Sequence, residues 1–200
     1  MSNSVGRVGL DLAAYKRAAA LMGETVAGLT DDEWERSTRP SEWTVVSTVA
    51  WVVVGDAQIA DALRSGVLHP VADFDSAILG VNPVATWRGT AVAAIQALGE
   101  PGAFDRVVDH PEGSFAVADL VAQRVSENLV RAWDIGMAVG RPVEVPDDLA
   151  DACLDFWAQH ADEVLAGGVL PDMPIEPADD ATPAVRFLAL MGRGEGLEVV

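Results

Sequence analysis

The sequence has one cysteine, one tyrosine, three histidines and, among its 13 basic residues, a single lysine, Lys16. With Cys153 alone, an internal disulfide and any cysteine-based zinc cluster are excluded. Its neighbours Leu149, Ala152, Phe156 and Trp157 recur at helical spacing, which reads as buried packing rather than the surroundings of a nucleophile. Bases are few against 31 acids, and the net charge of -18 would repel phosphate backbones and anionic lipid, so neither a nucleic-acid nor a membrane partner is expected. Long apolar runs are missing too. The longest, Val45 to Val54, is interrupted by Ser47 and Thr48 and has about half of the ~20 residues a membrane span requires. The amino end, MSNSVGRVGLDLAAYKRAAA, carries charges where a signal peptide would need unbroken apolar residues, which predicts a cytoplasmic protein. There is no internal repeat, P-loop or Rossmann glycine pattern.

What is present is enough for one substantial core: 200 residues, 50% hydrophobic, with mean hydropathy +0.22. The expectation is a single domain over 1–200, with a helical bundle at about 8–140 and a fifth helix and tail over 141–200. Apolar residues recur at helical period from Leu10 to Leu29, and Thr30-Asp31-Asp32-Glu33 supplies a cap and a short turn. Arg39-Pro40-Ser41 breaks the chain, Ser41 offers a cap, and Trp43 to Arg64 reads as a second helix ended by Gly66. A loop over Val67 to Pro83 leads to a third helix, Val84 to Leu98, closed by Gly99. Phe104 to Val117 reads as a hairpin or an extended loop, and Ala118 to Val139 as the fourth helix, ended by Gly140. Asp147 or Asp148 caps a fifth from Leu149 to Leu165, and periodicity returns over Ala184 to Met191. Four long helices predict a mainly α, four-helix bundle with a central cavity.

Three stretches carry a family resemblance. Trp43-Thr44-Val45, leading through Val49-Ala50 to position 51, is followed by Pro101-Gly102-Ala103 and by Arg124 to Gly140, RVSENLVRAWDIGMAVG, with Arg141-Pro142 after it. The third stretch is Pro183 to Arg193, PAVRFLALMGR. Together these resemble the DinB-like superfamily, in its actinobacterial branch related to the amino-terminal domain of mycothiol-dependent maleylpyruvate isomerase. The resemblance implies a divalent metal held by a histidine of helix two, an acid of helix four and a histidine one turn later, with an open position that activates a thiol or water. Carried onto this chain, those positions are Trp51, Glu127 and Arg131.

Only Glu127 of the three has a lone pair suited to a metal; a guanidinium has none to offer. The metal site is therefore expected to be degenerate and the metal absent, with no other cofactor. His69, His110 and His160 fall in a loop, the hairpin region and helix five instead of at ligand positions. Glu127 and Arg131, four apart on one helical face, fit an ion pair filling a vacated position. They fit equally a catalytic carboxylate, with Arg131, Arg124 and Trp51 binding the substrate: the arginine as a two-pronged clamp on a carboxylate, the indole as a stacking wall. Trp133 reads as packing and Asp134 as a loop anchor.

Three functions remain open. The leading one is a metal-independent enzyme using general acid/base catalysis, with Glu127 catalytic, for isomerisation or cyclisation of a small aromatic, carboxylated substrate in specialised metabolism. The others are a non-catalytic small-ligand-binding protein and a metal- and mycothiol-dependent isomerase or S-transferase. The partners expected are a small molecule and, as an option, a second copy of the chain in a homodimer.

Overall fold

The computed structural model describes residues 9–39, 43–71, 74–160 and 176–194. Contacts divide the chain into two compact units, Asp11–Val143 and a second formed by Met1–Leu10 with Glu144–Val200. The first holds four long helices: α1 (Leu12–Ala27), α2 (Val45–Ser65), α3 (Pro83–Leu98) and α4 (Val117–Val139). Their packing closes a ring, with α1 against α4, α4 against α2, α2 against α3 and α3 against α1. This is the mainly α four-helix bundle that the periodicity predicts.

Helices α1, α2 and α3 begin where a side chain satisfies free N–H groups, whereas α4 follows Ala116 with no side-chain cap. Asp11 Oδ1 accepts from the amides of Ala13 and Ala14 at 2.8 and 3.0 Å, so α1 starts two residues later than the apolar pattern suggests. Thr44 caps α2, whereas the expected cap Ser41 lies outside the described residues. Asn82 Oδ1 accepts from Ala85 N at 3.0 Å, and Pro83 occupies the first turn of α3, where its missing N–H costs nothing. Thr30 and Glu33 form the reciprocal cap of a 3-10 turn, Asp31–Glu33. A second such turn, Ser76–Leu79, lies within the expected loop.

The core of this unit draws on Met22 and Val26 of α1, Val49 and Val53 of α2, and Ala132 and Ile135 of α4. The chain from 104 to 117 forms an antiparallel hairpin, β1 (Val107–His110) and β2 (Gly113–Ala116), in the register Val107 with Ala116 and Val108 with Phe115. Leu68 N and Asp109 O, 2.7 Å apart, tie it to the chain just after α2.

By length and composition α2 is the one described helix apolar enough to cross a membrane. Its burial is that of a core helix, including a wholly buried Asp56. The second unit contains α5 (Asp147–Gln159) and α6 (Pro183–Leu190). Asp147 is the first residue of α5, and its Oδ1 accepts from Ala184 N at 3.0 Å, joining the starts of the two helices. The expected continuation of helix five from 161 to Leu165 lies outside the described residues. Cys153 is buried, as its neighbours predict.

Candidate functional site

Helix α4 carries Arg124, Glu127, Arg131 and Asp134 at intervals of three, four and three, which places alternating charges along one face. Residues 51 to 56 of α2 meet that stripe. Trp51 Nε1 donates to Glu127 Oε2 at 3.1 Å, and Arg131 Nε donates to the same oxygen at 3.0 Å. Arg131 Nη1 donates to Asp134 Oδ2 at 3.1 Å and to the Arg39 carbonyl at 3.4 Å. The three side chains singled out by the resemblance are thus bonded into one group, and Asp134 joins them as a buried carboxylate.

Among the described residues, Glu127 Oε1 and Arg131 Nη2 have no hydrogen-bond partner. The Glu127 side chain is 33% exposed and that of Arg131 11%. Burial pushes the Glu127 carboxyl up, but the charges of Arg131 and Arg124 and the hydrogen bonds from Arg131 and Trp51 outweigh it, holding the group below the usual glutamate range. An aromatic wall adjoins the pair. The ring centroids of Trp43, Trp51 and Phe74 lie 5.3 to 5.7 Å apart, and the Arg131 guanidinium sits 5.1 Å from the Trp43 centroid.

Arg124 turns away from this group toward α2. Its Nε donates to Asp56 Oδ1 at 3.3 Å and its Nη2 to the Val52 carbonyl at 3.2 Å, leaving the residue only 9% exposed. Room for the guanidinium exists because residue 55 is glycine: a Cβ there would lie 2.2 Å from Arg124 Nη1. The Tyr15 hydroxyl, from α1, and the Asn128 amide also face Asp56. Burial raises the Asp56 carboxyl despite the opposing charge of Arg124. It raises the Tyr15 hydroxyl too, and the Asp56 charge adds to that. Tyr15 Oη, Asp56 Oδ2 and Asn128 Oδ1 are buried without a hydrogen bond of ordinary geometry, so this is a second polar centre, closed to solvent.

The histidines bond elsewhere. The His69 carbonyl accepts from Gln58 Nε2 at 2.6 Å, and His110 Nδ1 accepts from Glu112 N at 3.2 Å. His160 Nδ1 lies 2.8 Å from the Phe156 carbonyl one turn back. Among the described residues, no group of three or more His, Cys, Asp or Glu side chains is placed to hold a metal ion. Trp133 is buried in the core, as expected of a packing residue.

Sequence reasoning passed over Trp43 and Phe74 as parts of the site. Asp134 was within reach, since it stands one turn beyond Arg131 on the same face. Phe74 has no periodic signal because it sits outside any helix.

A crystal structure of mycothiol-dependent maleylpyruvate isomerase matches with a TM-score of 0.61 and 13% identity, covering 92% of this chain and 89% of that one. The chain shares that enzyme's fold. A mutant of the same isomerase matches with a TM-score of 0.53 and 14% identity, over 70% of this chain and 65% of that chain. An uncharacterized protein of Mycobacterium tuberculosis, in strains CDC 1551 and H37Rv, is 26% identical over 183 residues, 91% of this chain and 97% of that protein. No family model matches the chain.

Proposed function

We propose that the chain is a cytoplasmic small-molecule enzyme that works without a metal ion, moving a proton at Glu127 in the isomerisation or cyclisation of a flat, conjugated substrate. The observation that carries this reading is the division of labour on one carboxylate. Oε2 is fixed by Trp51 and Arg131, while Oε1 keeps its lone pairs on a side chain one-third exposed beside an aromatic wall. A carboxylate aimed by two donors is oriented without being used up. Its lowered pKa makes it the ionised form at neutral pH, so it begins as a base and suits a carbon acid whose developing negative oxygen Arg131 Nη2 can meet. The proton taken from one carbon is returned to another, so the carboxylate ends as it began.

The metal implied by the resemblance does not suit these residues. Trp51 and Arg131 both present N–H groups to Glu127, and neither nitrogen has a lone pair to give a cation. The shared fold supports an isomerase or thiol-related role in general terms. The test begins with a thermal-shift screen of small conjugated molecules and proceeds to turnover of the hits. Glu127→Gln should keep the site's shape and lower kcat by about 100-fold or more. Turnover at the parental rate would remove Glu127 from the chemistry and leave a binding protein as the reading.

A further inference from the structure

The donors of Arg131 are mostly spent. Nε is taken by Glu127, and Nη1 by Asp134 and the Arg39 carbonyl, so Nη2 alone is left for a ligand. The usual guanidinium fork, two nitrogens on two carboxylate oxygens, is therefore not on offer. The charge is spent as well. One guanidinium already faces two carboxylates, in a chain with net charge -18, and a ligand carboxylate would be a third anion beside them. A cationic ligand meets the opposite difficulty, because Arg131 itself covers the Trp43 ring face. What the paired side chains still present is one acceptor, Glu127 Oε1, and one donor, Arg131 Nη2, next to Trp43, Trp51 and Phe74.

We propose that the Glu127–Arg131 pair reads an uncharged edge of its ligand, a hydrogen-bond donor beside an acceptor on a flat ring, as in a lactam or a primary aromatic amide, and does not take a carboxylate. This rests on the reading of the pair as a ligand site and replaces the carboxylated substrate that the sequence suggests. The ligand N–H meets Oε1, its carbonyl meets Nη2, and the ring lies against the indoles. Each polar group left over by the protein is then satisfied without adding charge.

The test is a matched panel of 2-pyridone, benzamide, benzoate and benzylammonium, titrated against the intact protein by ligand-observed NMR and tryptophan fluorescence. The two neutral rings are expected to bind at least about 10-fold more tightly than benzoate or benzylammonium. Glu127→Gln makes the contrast sharper. Its amide oxygen must stay at the Oε2 position to accept from Trp51 and Arg131, which puts the NH2 group where Oε1 was. Acceptor becomes donor and the negative charge is lost, so 2-pyridone should weaken by about 10-fold or more and benzoate should tighten. Benzoate or benzylammonium binding as well as the neutral rings to the parent would overturn the inference while leaving the ligand-site reading intact. So would a Glu127→Gln variant, folded by circular dichroism, with unchanged preferences. Binding of none of the four would overturn both.

Discussion

A methyl group on Gly55 would sit 2.2 Å from Arg124 Nη1 and 2.3 Å from its Cζ, far inside non-bonded contact distance. A long side chain usually swings aside from such a clash, but this guanidinium is held by Asp56 and the Val52 carbonyl. Gly55→Ala should therefore cost about 2–3 kcal/mol, the range of an overpacked core, measured by urea denaturation. Asp56→Ala should cost about 3–5 kcal/mol, because it leaves the Arg124 charge buried with no counterion. At the other end of the stripe the identities of Trp51 and Arg131 decide the chemistry. Trp51→His combined with Arg131→His would set two imidazoles around Glu127, and zinc is expected to bind the double variant at about one per chain and to be absent from the parent by elemental analysis. Failure of the folded double variant to bind zinc would show that positions 51, 127 and 131 do not converge as described. The four-residue interval between Glu127 and Arg131 made their pairing legible in the sequence. The environment of Arg124 was not, because whether it faces a ligand or Asp56 depends on how α4 is set against α2, which no local pattern records.

Helices were legible wherever glycine and a polar cap bracket an apolar period. Gly66, Gly99 and Gly140 each stand just past a helix end, and Gly140 takes the left-handed backbone, φ 72, that the last turn of α4 requires. Starts were less legible, since several polar residues compete for each cap: Asp11 rather than the run before it begins α1, and Thr44 begins α2. The 3-10 turn Ser76–Leu79 gave no signal, being too short for any periodicity. The hairpin was visible only as one of two readings of Phe104 to Val117. Its register follows from the short Pro111-Glu112 connection and the hydrogen bonds to the segment after α2, a contact distant in sequence. At this scale Asn82→Ala should destabilise the fold by about 1 kcal/mol, since Ala85 N loses its acceptor, and Asn82→Ser should recover most of that in the same denaturation assay.

Glu33 and Arg141 join residues 108 apart through a two-pronged contact, Nη1 to Oε1 at 2.7 Å and Nη2 to Oε2 at 2.8 Å. The hydrogen bonds from Arg141, with the Thr30 amide next, hold the Glu33 carboxyl down at about 2, against an ordinary value of 4.5. The sign follows from proton linkage: a depressed carboxylate stabilises the fold above its ordinary pKa, and that contribution is lost as pH falls from 4.5 through about 2. Over the same range the many other acids lose charge, which relieves the repulsion of a chain at -18 and works in the opposite direction. The Glu33 effect is therefore read as a difference: between pH 4.5 and 2 the parent should lose more stability than Glu33→Gln, the two curves converging at the acid end. The same contact bears on the order of assembly. Glu33 and Arg141 meet across the same long loop that the pairing of α1 with α4 closes, once the cost of closing it has been met. Interactions made so late act on escape from the folded state and not on the approach to it. In stopped-flow chevrons, Arg141→Gln should accelerate unfolding and leave the refolding limb where it was.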